Sequence, residues 1–181
     1  MTGKQPDGTG PTTHSPPGTG TISDERMLAG QLFNETWRLL DRANRDQADD
    51  DRMLYAAYAA RYHWGQVPDA TPAHLARGEW QVSRVCAVLG RAEPAVFHAR
   101  RVLEICQRNG IGDFDLAFGY EALARGCVVA GDTAAAREAF GQAVAAVAGI
   151  AAEEDRELLL SDLATIPGGL GWLEEGQVRP V

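Results

Sequence analysis

The sequence predicts an all-α fold, a stack of antiparallel helix hairpins, and three observations carry that expectation. The first is an internal repeat. Ser83-Arg84-Val85-Cys86-Ala87-Val88-Leu89-Gly90 lies in register with Ala124-Arg125-Gly126-Cys127-Val128-Val129-Ala130-Gly131, 41 residues further on. Periods of about 20–50 residues mark stacked supersecondary units. The second is punctuation: each block ends in a helix-stopping Gly, and capping residues open the next stretch. The third is periodicity, since apolar residues recur at helical spacing and no segment alternates with period two.

Taken in order, the first residues (1–22) are dominated by Gly, Pro, Thr and Ser. They hold too little apolar surface to offset ordering entropy, so a disordered tail is expected. Ser23 opens a helix whose Leu28, Leu32, Phe33, Thr36, Trp37, Leu39 and Leu40 follow helical spacing towards Asn44. The acidic run Asp46 to Asp51 starts a second helix, where carboxylates favour the positive dipole end; it lacks the Gly and terminal Glu of a calcium loop. That helix runs to about Trp64. Thr71-Pro72 places a hydroxyl cap and a first-turn Pro at the head of a third, which stops at Gly90. Glu93-Pro94 restarts the chain, and a fourth helix ends at Asn109-Gly110. Asp113 is expected to cap a fifth that stops at Gly131, and Asp132-Thr133 opens an Ala-rich sixth reaching about Ala148. A seventh, from Glu153 to about Thr165, ends before Pro167. The remainder to Val181 is Gly-rich, with Leu170, Trp172 and Leu173 available to fold back. The domain expected is therefore 23–166, between tails at 1–22 and 167–181.

Composition narrows the function. The chain of 181 residues carries 25 acidic and 17 basic side chains, a formal charge of −8. That balance argues against a nucleic-acid binder, which needs a basic stripe to displace counterions. No apolar run approaches the roughly 20 residues that span a bilayer, and no signal-peptide pattern opens the chain, so a cytoplasmic protein without membrane contact is expected. Cys86, Cys106 and Cys127 lack metal-ligand spacing and are expected to be small buried hydrophobes. No metal or other cofactor is expected: His14, His63, His74 and His98 show no metal-site spacing.

Residues 113–148 resemble a tetratricopeptide repeat. The motif's places are held by Tyr120, Leu123, Ala124 and Cys127, then Gly131-Asp132, then Ala136, Phe140 and Ala143, with Ala124 where a Gly is usual. The preceding pair carries Glu79 in the aromatic place, with Trp80 beside it, then Val82, Ser83, Cys86, Gly90, Ala95, Ala99 and Val102. A first pair aligns through Trp37, Leu40, Ala57 and Ala60, with Met53 where a small residue is usual and no Gly in its turn. The resemblance implies a right-handed stack of about three hairpins, plus a C-terminal capping helix. Arg61-Tyr62-His63-Trp64 and Ala76 to Gln81 are also similar to segments of small uncharacterised bacterial proteins.

In such stacks the first helix of each pair lines a groove. The resemblance therefore implies Arg38 and Arg42, then Arg77, Trp80 and Arg84, then Phe118, Glu121 and Arg125 on the groove face. Arg42, Arg84 and Arg125 fall at equivalent places. One reading makes them a guanidinium ladder for a carboxylate or phosphate. The other pairs them with Glu35, Glu79 and Glu121 as interhelical salt bridges. On the second helix Tyr55, Tyr58 and Tyr62, followed by His63, either wall a pocket with Glu79 or pack as a core edge. Gly110-Ile111-Gly112-Asp113 precedes a helix, as an anion site or a plain turn. The expected function is a non-catalytic binding or scaffold protein for a peptide, partner protein or anionic small molecule. The alternative is a small enzyme or ligand-binding accessory using the Tyr/His/Arg/Glu set.

Overall fold

The computed structural model describes residues 22–174. The expectations for residues 1–21 and 175–181 lie outside that range. Among the described residues the chain is all-helical: α1 Ile22–Leu40, α2 Gln47–Gln66, α3 Pro72–Val88, α4 Ala92–Asn109, α5 Asp113–Val129, α6 Thr133–Ala146, α7 Glu153–Ala164 and α8 Gly169–Glu174, with a 3-10 turn at Val147–Gly149. No strand occurs among them. Each of α1 to α5 packs on the next, and α3 also packs on α5, α5 on α7, and α1 on α3. The odd-numbered helices thus stand side by side along one face of a hairpin stack.

The turns show why the repeat is visible in sequence. Gly90, Gly110 and Gly131 adopt φ of 69°, 62° and 76°, a region in which a Cβ is penalised. Past each Gly, a backbone N–H returns to the carbonyl five residues earlier: Arg91 to Cys86 at 2.8 Å, Ile111 to Cys106 at 2.9 Å, Asp132 to Cys127 at 3.0 Å. This is the Schellman closure, which satisfies otherwise orphaned carbonyls. The α1–α2 turn has no Gly and solves the problem differently. The Arg45 guanidinium donates to the carbonyls of Leu39 (3.2 Å), Leu40 (2.9 Å) and Arg42 (3.1 Å). That closure ends α1 at Leu40, four residues before the expected Asn44. Asp46 then opens α2 through a reciprocal cap with Asp49.

Small residues set the helix crossings. Ala95, Ala99, Ala136 and Ala143 are fully buried. Gly78 and Gly119, one repeat apart, touch the preceding even-numbered helix: a Cβ would stand 2.7 Å from Arg61 Cδ at Gly78 and 2.8 Å from Leu103 Cδ2 at Gly119. The aromatics Phe118 and Phe140 fill the space between helices, each side chain contributing about 1.5–3 kcal/mol of burial. Cys86, Cys106 and Cys127 are free and buried, and burial pushes the Cys106 thiol up to about 11.

Two expectations shift. Asp113 is not the cap of α5; Gly112 is, and Asp113 is the first helical residue with φ 53°. Its carboxylate instead accepts from the Ala151 N–H at 3.1 Å, tying the α5 start to the approach to α7. The packed region also continues beyond 166. Trp172 on α8 is buried, edge-on to Phe140 with ring centroids 5.4 Å apart.

Candidate functional site

The odd-numbered helices enclose a cleft of about 900 Å³. Phe33 and Trp37 come from α1, with Asp41 just past its end; Arg77, Trp80 and Arg84 come from α3. The start of α5 adds Gly112, Asp113, Phe114 and Asp115, and α7 adds Asp155, Leu158 and Asp162. The spacings 33/37, 77/80/84 and 155/158/162 are those of single helix faces, so each helix presents one stripe to the cleft. Aromatic rings back it continuously: Trp37 on Trp80 at 5.3 Å, Trp80 edge-on to Phe118 at 5.0 Å, Phe118 on Phe114 at 4.4 Å.

The cleft lining is acidic, five aspartates against two arginines. Both arginines are already engaged. Arg77 grips Asp115 through two hydrogen bonds (2.7 and 3.1 Å) and lies over the Phe114 ring, 5.7 Å from its centre. The Asp115 contact makes the guanidinium harder still to deprotonate. Arg84 reaches Glu121 at 3.1 Å and Asp162 at 3.0 Å. Among the described residues Asp41 and Asp155 form no ion pair. Asp155 is half-buried and close enough to add to the field on Arg77.

The predicted arginine ladder is not assembled. Arg42 pairs with Asp49 at 2.7 Å in the α1–α2 turn, outside the cleft, and Arg38 is largely exposed beside Glu35. Arg84 and Arg125, equivalent in the repeat, converge on the same buried carboxylate. Glu121 is fully inaccessible and takes Arg125 Nε at 2.7 Å and Arg84 at 3.1 Å, with the Trp80 indole N–H at 3.4 Å. Arg125 also donates to the Asp162 carbonyl (3.0 Å) and the Thr165 hydroxyl (2.8 Å), locking α5 to α7. An ion cluster of this kind is cement between helices, since both guanidinium groups reach acceptors on neighbouring helices. The 41-residue repeat signalled equivalent arginines. It did not signal that α3 and α5 would aim them at one acid.

The tyrosine pocket is not assembled either. Tyr55 and Tyr62 are exposed on the outer face of α2, and His63 pairs with Glu25 at 2.5 Å. Tyr58 and Glu79 are joined instead by His98. His98 Nδ1 lies 2.6 Å from buried Glu79 and its Nε2 lies 3.2 Å from the Tyr58 hydroxyl, which in turn sits 3.9 Å from Cys86 Sγ. Arg61 supplies Glu79 with a second donor at 2.9 Å. Burial pushes the Glu79 carboxyl up, but the His98 hydrogen bond and the Arg61 charge outweigh it and hold the group below its usual range. Burial and the neighbouring Cys86 push the Tyr58 hydroxyl up to about 12, so it stays protonated and serves as a hydrogen-bonding group. No short-range pattern could have found His98, which approaches Glu79 from the neighbouring helix. This chain of groups binds α2, α3 and α4 together and does not line the cleft.

Gly112 and Asp113, singled out as a turn or anion site, form a turn at the cleft edge that contributes a carboxylate. Among the described residues no group of three or more His, Cys, Asp or Glu is placed to hold a metal ion, and no helix is long and apolar enough to cross a membrane. Fold and site together define a helical-hairpin stack with an aromatic, acidic cleft. No family model, curated protein or solved structure matches the chain.

Proposed function

We propose that this is a non-catalytic binding protein, a tetratricopeptide-like scaffold whose ligand site is the cleft between α1, α3, α5 and α7. One observation carries the proposal: an aromatic-backed cleft of about 900 Å³ opens on the stacking face, within the size range typical of ligand sites. Asp41, Asp113 and Leu158 on its rim are exposed, so it is an open trough suited to a segment of a partner chain. Arg77, Arg84, Asp115 and Asp162 on its walls are pinned in ion pairs, which favours a rigid recognition surface over proton-transfer chemistry.

The test uses a plug. Leu158 is about half exposed on α7 and lines the cleft, so Leu158→Trp fills the trough without disturbing the core. A degenerate octapeptide pool is passed over the immobilised full chain. Sequences retained by the wild type and released by Leu158→Trp support the proposal. Equal retention by both proteins, or none by the wild type, removes the cleft as the ligand site.

A further inference from the structure

The proposed cleft already accommodates one cation, and it belongs to the protein itself. The Arg77 guanidinium is seated between a carboxylate and an aromatic face: Asp115 holds it through two hydrogen bonds, and its carbon lies 5.7 Å from the centre of the Phe114 ring. A planar guanidinium satisfies both contacts at once, through its edge and its face. The same cleft carries two carboxylates that form no ion pair among the described residues. Asp155 is half-buried beside Arg77 and forms no ion pair among the described residues, and Asp41, likewise without one, is exposed on the rim at the end of α1. Leaving a half-buried carboxylate unpaired costs solvation, and an incoming positive charge recovers it. Both arginines of the wall are already engaged with acids, Arg77 with Asp115 and Arg84 with Glu121 and Asp162.

Building on the cleft reading, we infer that the ligand is a basic peptide segment, its Arg or Lys side chain held by Asp155 and Asp41 and a neighbouring apolar side chain laid on Phe33, Trp37 and Leu158. The polarity is opposite to the anionic ligand that the arginine content suggests. The aspartates around the trough outnumber its arginines five to two, and that excess steers a positive ligand towards it; salt screens the attraction over about 8–10 Å. The open rim and the room for several side chains select a peptide over a lone small cation, which would leave the aromatic wall wet.

The experiment splits the octapeptide pool into two of equal apolar content, one bearing Arg and Lys and one bearing Asp and Glu. Retention on the full chain is compared with that on Asp155→Asn, Asp41→Asn and Leu158→Trp. The basic pool is expected to be retained at least tenfold better than the acidic pool. Each Asn variant should lose about tenfold, the scale of one charge-assisted hydrogen bond, and raised salt should weaken binding. Because Asp155 and Asp41 form no ion pair among the described residues, circular dichroism melts of the Asn variants should match the wild type. Retention that is blind to charge yet lost in Leu158→Trp overturns the cation reading and leaves the cleft reading standing. Preference for the acidic pool overturns it as well. Agmatine bound as tightly as the basic peptides overturns the peptide assignment. Retention of neither pool, or retention unchanged by the plug, ends both readings.

Discussion

Replacing Arg84 by Ala should cost about 3 kcal/mol of stability, the low end of the range for breaking a buried ion pair. The figure follows from the cluster's geometry. Arg84 is 15% exposed and Glu121 not at all, so Glu121 cannot turn to water when its partner goes. Full stranding is avoided because Arg125 still holds the same oxygen at 2.7 Å. Asp162 also loses its 3.0 Å contact, but at 19% exposure it recovers part of its hydration. For a chain of this size a urea slope of about 2 kcal/mol per molar turns the loss into a midpoint shift of about 1.5 M. Arg42→Ala is the internal control. Arg42 is 57% exposed, and its partner Asp49, though only 16% exposed, keeps the Asp46 N–H as a second donor, so the loss on removing Arg42 should stay within about 1 kcal/mol. Arg84→Lys should recover only part of the stability, since an ammonium cannot reach Glu121 and Asp162 with one planar fork. A double-mutant cycle with Asp162→Ala measures how much of the loss belongs to that contact. A melt of Arg84→Ala within 1 kcal/mol of wild type would refute the cement argument and return Arg84 to the ligand-facing role.

Two further outcomes follow from the packing and the titrating groups. Ala136 is fully buried at a helix crossing, so Ala136→Leu should overpack the α5–α6 hairpin and cost about 1–3 kcal/mol in a denaturant melt; an unchanged midpoint would mean the crossing is looser than drawn. Glu79, held below its usual range in the folded chain, contributes stability that is fully present above about pH 4.5 and is lost as pH falls through its folded value. The gap in stability between wild type and Glu79→Gln should therefore be widest near neutrality and close in acid. A gap that stays constant down to pH 3 would count against the His98–Glu79–Arg61 cluster.

The sequence alone determined the helices and their order, because the signals involved are local. Asp46, Thr71, Asp132 and the glycines at 90, 110 and 131 act within a few residues of themselves, and the apolar spacing acts within one helix. The 41-residue echo extended that local information to the stack, since equivalent crossings require equivalent small residues. Gly78 and Gly119 lay in that echo too and could have been read: a Gly inside a helix, twice in register, marks a close approach. Only the tertiary structure decided which charges meet. A guanidinium reaches far enough to choose among several acids, and the choice depends on how each helix is rotated about its axis. Arg84 and Arg125 therefore share Glu121, Arg45 closes α1, His98 finds Glu79 from another helix, and Asp113 serves Ala151 instead of its own helix. The sign of the cleft follows from that pairing. Once the arginines that seemed to face a ligand are spent on buried acids, the aspartates left along α1, α5 and α7 set its field, and no periodicity along the chain records that subtraction.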